Sequence, residues 1–268
     1  MSDKIVHKEL SYVVNGCIFD VHNAVGPGIR EECYQKSMEA RLAEAELGFI
    51  AKPATRRELV YRGQVVDTFE PDLVVAEQII LELKAQRDGL CGENFAQLLS
   101  YLKFWNLQLG LLVNFAQSEA IIERVPNLPL EIVDAEDYEW IKPLVASEHR
   151  PTLRAIRESL LEICRVIGCG YCDTTYRKLV EVELGHRGLT CQAAAMVAPT
   201  FHERSLPTSM ISPLVVADSV LVEVQAIHDD ISATAVRTMQ TYLRLTRCPI
   251  CLIVSFGKTR FSIRGVHP

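Results

Sequence analysis

The segment EPDLVVAEQIILELKAQ, residues 70–86, carries three charged side chains within two apolar runs. Its valines, leucines and isoleucines favour buried β-strands, where Asp72, Glu82 and Lys84 would each lose their hydration. A charge taken out of water is strongly unfavourable unless it is paired or binds an ion. The segment therefore predicts a strand hairpin that belongs to the core and also carries a polar site.

The register of this hairpin brings two acids together. AEQ, residues 76–78, is the predicted turn, and a hairpin centred on Glu77 places Asp72 opposite Glu82. Directly opposed residues have Cβ atoms roughly 4.5–5.5 Å apart, so the carboxylates repel each other unless a proton or a cation separates them. Mg²⁺ or Mn²⁺ suits such a pair. The alternation of a strand puts Lys84 on the face of Glu82, where its ammonium could orient water and stabilise charge on a phosphate.

Two more polar residues are candidates for the same site. Glu31 lies three residues before Tyr34 in a predicted helix and shares its inward face. Gln97, on a later helix, could hold a water or the lysine. Taken alone, Glu31 could equally be an acid that the helix dipole favours, and Glu82 with Lys84 could form an exposed strand face. The combination on one apolar hairpin favours the functional interpretation.

The composition of the chain is that of a globular protein. Its 268 residues suffice for one large or two ordinary domains, with 49% hydrophobic and 23% charged residues. No run approaches the roughly 18 apolar residues of a membrane helix, and the first ten residues are polar. Nine cysteines, an odd number, occur without a secretion signal. We expect reduced thiols in a cytoplasmic protein.

Charge is unevenly distributed along the chain. Residues 1–145 hold 14 Lys and Arg against 23 Asp and Glu, whereas residues 146–268 hold 14 against 11, so balances of −9 and +3 make up the net −6. The second half contains 12 arginines. It is therefore the better candidate for contact with nucleic-acid phosphates, although a solvated surface is the plainer alternative.

The chain repeats itself at a nearly constant offset. YLKFWNLQLGLLVNF from Tyr101 matches YLRLTRCPICLIVSF from Tyr242, and AVGPGIREECYQK from Ala24 matches VIGCGYCDTTYRK from Val166. The offsets are 141 and 142 residues, far above the period of about 20–50 residues that marks a solenoid. The sequence therefore predicts a duplicated domain.

The duplication sets the predicted domain boundaries. We expect one domain at residues 1–128 and a second at 152–268, joined by a linker at 129–151 that is rich in proline and acids. In the first domain, the patterns predict helices at 4–24, 30–47 and 93–105, and strands near 56–62, 65–75, 79–85 and 108–115. This order indicates an α/β fold with a mixed sheet and helices packed against it.

The residues around the hairpin resemble a known family. GIREECY, from Gly28 to Tyr34, fits the pattern GxxExxY, and HNAVGPG, PDLVV, LELKA, AQLLSYL and GLLVNF accompany it within residues 20–125. The first copy thus resembles the bacterial proteins named for the GxxExxY motif, which are similar to the PD-(D/E)XK nuclease superfamily. The resemblance implies two tandem restriction-endonuclease-like domains of αβββαβ order. It also implies site roles: metal binding for Asp72, Glu82 and Glu31, assistance in hydrolysis for Lys84, and support for Gln97.

The second copy departs from this pattern. It aligns Pro213 with Asp72 and Gln225 with Lys84, so one carboxylate and the ammonium are lost. The aligned acids that remain are Asp173 and Glu223. We predict that this copy is catalytically dead, and that it serves as a pseudo-dimer partner of the first copy or as a surface that contacts nucleic acid.

Cysteines in the second copy offer a different interpretation. Two C-x-x-C pairs, Cys169 with Cys172 and Cys248 with Cys251, could together hold zinc or an iron–sulfur cluster. However, 75 residues separate the pairs, and Cys251 opens an apolar strand in which cysteine is often a small core residue. This metal site is the minor alternative.

The sequence supports three hypotheses of function. The leading one is a metal-dependent nuclease that hydrolyses DNA, with RNA as the second choice, at a single site in the first copy. The alternative is a catalytically inactive nuclease-fold module for binding or regulation, which the acidic balance of the first copy favours. The intact Asp72, Glu82 and Lys84 favour the nuclease. A cysteine-bound cluster with a redox or structural role is the third hypothesis.

Overall fold

The computed structural model of the chain describes residues 6–127, 133–202, 204–228, 230–258 and 260–268. The chain divides into two units, one made of Met1–Leu59 with Asp67–Pro129 and the other of Val60–Val66 with Leu130–Pro268. In these described ranges, no helix is both long and apolar enough to cross a membrane.

The copy that carries the hairpin begins with two helices and ends in a strand. Its elements, in chain order, are α1 (Lys8–Val25), α2 (Glu31–Glu44), β1 (Phe49–Ala51), β2 (Arg57–Tyr61), β3 (Gln64–Phe69), β4 (Leu73–Val75), β5 (Ile79–Lys84), α3 (Gly92–Trp105), β6 (Leu109–Asn114) and β7 (Ile121–Pro126).

Five of these strands form one mixed sheet in the order β1-β4-β5-β6-β7. Strands β5 and β6 are parallel, and the other neighbours are antiparallel. Leu73 pairs with Leu81 and Val75 with Ile79, which confirms the predicted register and the turn at residues 76–78. The mixed α/β fold predicted from the sequence is likewise confirmed.

The strands predicted at 56–62 and 65–75 form differently from the prediction. Strands β2 and β3 pair with each other in a separate two-stranded sheet, and the chain leaves strand conformation between β3 and β4. Pro71 lies at this break. Proline has no N–H to donate to a strand ladder, and this explains why the strand is interrupted here. Strand β1, which the sequence did not predict, supplies the third strand of the αβββαβ order together with β4 and β5.

Apolar faces of α1 and α2 cover one side of the sheet. On α2 the apolar pattern predicts an inward stripe of Tyr34, Met38 and Leu42, and all three are buried. On α1 the apolar pattern predicts an inward face with Val13, Cys17 and Val21, but Val13 is 44% exposed, whereas Val14 is fully buried. A helix period of about 3.6 residues aligns Val14, rather than Val13, with Val21. The predicted start of this helix at residues 4 and 5 lies outside the described residues.

Helix α3 lies very close to strand β6. A Cβ atom added to Gly110 would come within 2.7 Å of Leu98 Cδ1, which is closer than real Cβ contacts. The absence of a side chain at Gly110 therefore lets the helix approach the sheet. This contact fixes the helix that carries Gln97.

The second copy repeats the three helices and the main sheet strands of the first and adds short strands and two 3₁₀ helices. Its elements are β8 (Val133–Asp137), two 3₁₀ helices (Glu139–Leu144 and Ser147–His149), α4 (Arg150–Ile167), α5 (Asp173–His186), β9 (Cys191–Gln192), β10 (Met196–Val197), β11 (Thr200–Phe201), β12 (Arg204–Ser205), β13 (Ser209–Met210), β14 (Leu214–Val216), β15 (Val220–Ile227), α6 (Ala233–Thr246), β16 (Ile250–Gly257) and β17 (Arg260–Val266).

The starting residues of these elements confirm the duplication. Helices α4 and α5 and strand β9 each begin 142 residues after α1, α2 and β1, and β14, β15, α6 and β16 each begin 141 residues after β4, β5, α3 and β6. The sheet order is β8-β17-β16-β15-β14-β9. Part of the segment predicted as a linker, residues 129–151, forms β8 and the two 3₁₀ helices, and α4 begins at Arg150.

Candidate active site

The hairpin of β4 and β5 buries its three charged side chains. Asp72, Glu82 and Lys84 are 3%, 2% and 8% exposed. Asp72 directly precedes β4, and the observed register places it opposite Glu82. Its Oδ2 accepts a hydrogen bond of 2.8 Å from the Leu83 N–H. Lys84 Nζ lies 2.6 Å from Glu82 Oε1. The three residues thus form one buried, charged cluster.

The alternation of β5 separates this cluster from the apolar core. Ile79, Leu81 and Leu83 belong to the core cluster that includes the buried faces of α1 and α2. Side chains of a strand point alternately to its two faces, so Glu82 and Lys84 lie on the face opposite to these residues. One face of the strand therefore holds the fold while the other carries the polar groups.

Burial and mutual repulsion make the acids hard to ionise. Burial, with the charge of Asp72, raises the pKa of Glu82 to about 8. Burial also raises the pKa of Asp72, against the opposing effects of the Leu83 N–H and Lys52. For Lys84, burial alone would lower the pKa, but the carboxylate of Glu82 raises it. The two carboxyl groups cannot both ionise without repelling each other, and a bound cation would relieve this repulsion.

One carboxylate oxygen of the cluster has no hydrogen-bond partner among the described residues. Glu82 Oε2 is buried and accepts no hydrogen bond from any described residue. A buried, unsatisfied carboxylate oxygen is costly, and a divalent cation bound through one or two carboxylates and several waters would satisfy it. Among the described residues, no group of three or more His, Cys, Asp or Glu side chains is arranged to hold a metal. A cation at this place would therefore be held by two carboxylates, with water completing its shell.

Glu31 lies at the first position of α2 and is half-buried. Burial raises the pKa of its carboxyl, Lys84 opposes that rise, and the charge of Asp72 adds to it. Glu31 therefore interacts electrostatically with both the acid and the lysine of the hairpin. The structure brings this predicted residue together with the other three.

Gln97 is connected to the cluster through a residue that the sequence did not reveal. Its Nε2 donates a hydrogen bond of 2.8 Å to Tyr101 Oη. Tyr101 is buried, and burial, together with the charge of Glu82, raises its pKa. The spacing of four residues on one helix was the available signal. Gln97 thus orients the tyrosine that lies beside Glu82.

Two further residues were missed from the sequence. Lys52 Nζ lies 3.7 Å from Asp72 Oδ1 but is largely exposed, so the pair contributes little stability. Asn114, at the end of β6, is fully buried and exchanges two hydrogen bonds with the backbone of Gln86, of 3.0 and 2.8 Å. It fixes the chain two residues after Lys84. A polar side chain at the end of the apolar run LGLLVN was its signal.

The corresponding place in the second copy has different chemistry. Leu214 pairs with Val222, so the register puts Pro213 opposite Glu223, as the alignment predicts. Ser212 Oγ donates a hydrogen bond of 2.9 Å to Glu223 Oε2. Burial raises the pKa of Glu223, and the hydrogen bond from Ser212 opposes this rise. No carboxylate faces Glu223 across this hairpin.

The metal site considered at Cys169, Cys172, Cys248 and Cys251 does not form. Among the described residues, no group of three or more His, Cys, Asp or Glu side chains could hold a metal. Cys251 is completely buried in β16, and burial raises its pKa well above the usual value. A thiol that resists ionisation is a poor metal ligand, and Cys251 is a core residue.

The first copy thus combines a mixed sheet, helices packed on it, and an acid opposed to a Glu-x-Lys strand. The sequence model of the PD-(D/E)XK nuclease superfamily matches residues 8–125 and matches again at 150–266. The chain belongs to this superfamily and contains its domain twice. No match was found among curated proteins, nor among solved structures.

Proposed function

We propose that the chain is a metal-dependent nuclease that hydrolyses phosphodiester bonds of DNA, with RNA as the second choice, at one site in its first copy. The proposal rests on one observation above all. Asp72 and Glu82 oppose each other in a buried hairpin beside Lys84, and Glu82 Oε2 has no partner among the described residues. Superfamily membership supports it for both copies, but only the first has the full set of charges.

Each residue of the cluster has a proposed role. Asp72 and Glu82 would bind Mg²⁺ or Mn²⁺, with Glu31 as the third acid. The cation, when bound there, supplies charge neutralisation at the phosphate and lowers the pKa of water. Lys84, held by Glu82 at 2.6 Å, would stabilise the negative charge that develops on the phosphate. Gln97 would act through Tyr101.

We also assign the first copy, within the superfamily, to the GxxExxY proteins. Each residue of the motif has a physical reason to be there. Gly28 has a φ of 91°, a conformation that favours glycine. Glu31 begins α2 next to the hairpin acids. Tyr34 Oη donates a hydrogen bond of 2.7 Å to Gly26 O and closes the loop between α1 and α2.

Cleavage of labelled single- and double-stranded DNA and RNA, with Mg²⁺ or Mn²⁺, tests the proposed nuclease. We expect wild type to cut in the presence of metal, and Lys84→Ala and Asp72→Ala to abolish cutting. Glu223→Ala is the matched control, because it removes an acid from the same strand position of the second copy. Cleavage that survives both first-copy substitutions would place the activity elsewhere.

The second candidate function is a nuclease fold kept as a binding or regulatory module. Two ion pairs favour it, Lys84 with Glu82 and Lys52 with Asp72, because they partly neutralise the cluster without a metal. This candidate predicts no cleavage under any metal and no heat of Mn²⁺ binding in calorimetry. A heat that disappears in Asp72→Ala would instead favour the nuclease.

A further inference from the structure

The second unit contains a cleft of about 660 Å³ that is lined by four cationic side chains. Three of them, Arg150, Arg154 and Arg157, follow one another on α4 at spacings of four and three residues, which places them on one face of the helix. Lys142 comes from the first of the two 3₁₀ helices that precede α4, Glu139–Leu144. The volume lies within the range of roughly 300–1,000 Å³ that is common for ligand sites.

Two of the four cations are held in place by acids and by a tyrosine ring. Arg157 makes two hydrogen bonds of 2.6 Å to Glu136, and Lys142 lies 2.5 Å from Glu139. Both cations also lie over the ring of Tyr138, at 6.0 and 5.0 Å from its centroid. These contacts build one wall of the cleft and hold its geometry.

The other two cations keep their charge available. Arg150 and Arg154 are exposed, and neither forms an ion pair with a residue in the described part of the chain. Arg150 Nε donates a hydrogen bond of 3.4 Å to Val145 O, which leaves its terminal nitrogens for a ligand. Glu158, the acid that lines the cleft, lies 3.3 Å from Arg187. The unpaired charge of the cleft is therefore positive.

The position of the cleft agrees with the distribution of charge along the chain. The net charge of −6 combines −9 for residues 1–145 with +3 for residues 146–268, and most of the residues that line the cleft belong to the second range. Arginine binds phosphate oxygens through paired N–H groups in a fixed plane. Several arginines on one helix face, spaced along its axis, can contact successive phosphates of one chain.

We propose that this cleft binds the phosphodiester backbone of a polynucleotide. The degenerate copy then has a function of its own, which is to hold nucleic acid at Arg150 and Arg154 without cutting it. The inference does not rest on cleavage by the first copy, since binding is measurable when no reaction occurs. A free nucleotide carries the same phosphate chemistry, and the experiment must separate the two sources.

Fluorescence anisotropy tests the proposed binding with the full-length chain in EDTA. The ligands are labelled oligonucleotides of about 20 nucleotides, single-stranded and duplex. The variant is Arg150→Ala with Arg154→Ala. Its matched control, Arg165→Ala with Arg237→Ala, removes the same charge from two exposed arginines outside the cleft. Titration with salt gives the number of phosphate contacts, and competition with inorganic phosphate and thymidine monophosphate gives the size of the ligand.

We expect the cleft variant to bind duplex at least about tenfold more weakly than wild type, and its salt slope to fall by about two. The control should stay within about twofold of wild type. Equal weakening in both variants, or wild-type affinity in the cleft variant, would overturn the proposal. Competition by thymidine monophosphate at micromolar concentration would overturn its polynucleotide part and assign the cleft to a free nucleotide.

Discussion

The two copies share the contacts that hold the fold. Tyr34 donates to the carbonyl of Gly26, and Tyr176 donates to the carbonyl of Gly168, which is the same position in the second copy. Each tyrosine also stacks on a phenylalanine, Phe115 directly after β6 and Phe256 in β16, with ring centroids 4.5 and 4.1 Å apart. Tyr34 and its counterpart Tyr176 are therefore structural residues of the two copies.

The copies differ where the chemistry lies. The hairpin acid Asp72 corresponds to Pro213, and Lys84 corresponds to Gln225. In the first copy, Glu82 has an unsatisfied oxygen and a pKa raised to about 8, whereas Glu223 accepts a hydrogen bond from Ser212. The fold and the site thus rest on different residues of the same elements. One set can change while the other is kept.

Exchanging one residue between the copies gives the largest expected effect. Lys84→Gln installs the residue of the second copy in the first, and we expect cleavage to fall at least about 100-fold, because a neutral amide cannot stabilise charge on the phosphate. Gln225→Lys, the reverse exchange, should leave the rate within about twofold of wild type. Initial rates on one labelled duplex measure both.

Normal cleavage by Lys84→Gln would contradict the proposed role of the lysine. Among the described residues, Lys84 is the one cation within hydrogen-bond distance of Glu82, so no other side chain there could replace it. A gain of activity in Gln225→Lys would show that the second copy lacks only the lysine. Either result would contradict the assignment of a single site to the first copy.

The effect of a first-copy substitution on metal affinity should be smaller than the effect on cleavage. We expect calorimetry to find one Mn²⁺ site per chain and Asp72→Asn to weaken it at least about tenfold, because the amide keeps the shape of the carboxylate but loses its charge. Glu223→Gln should bind Mn²⁺ as wild type does. Two equivalent sites in wild type would contradict the difference between the hairpins.

The tyrosines should behave alike, in contrast to the site residues. Tyr34→Phe and Tyr176→Phe each remove a hydrogen bond to a glycine carbonyl from a fully buried side chain. We expect each to lower the free energy of unfolding by about 1–2 kcal/mol. Urea unfolding followed by circular dichroism measures the loss. A loss in one copy alone would show that the two hydrogen bonds do not have the same structural role.

Part of this comparison was predictable because it depends on patterns within the sequence. The apolar alternation around Glu77 determined the hairpin register, and the constant offset identified Pro213 as the counterpart of Asp72. Strand β1 was missed because FIA is too short to show a period. Lys52 was missed because its proximity to Asp72 depends on how the chain folds back, and nothing in its neighbourhood signals that contact.

The smallest expected effect is a dependence of stability on pH. In EDTA, the pKa of Glu82 is about 8 in the folded chain, above its usual value of 4.5. Between these values the folded state holds a proton that the unfolded state has released, so the free energy of unfolding falls as pH rises through this window. Asp72→Asn removes the facing charge, and we expect it to flatten this fall and to stabilise the chain by about 1 kcal/mol at pH 8. Urea unfolding at pH 5 to 8 tests this. Parallel curves for wild type and Asp72→Asn would show that the two carboxylates do not repel each other.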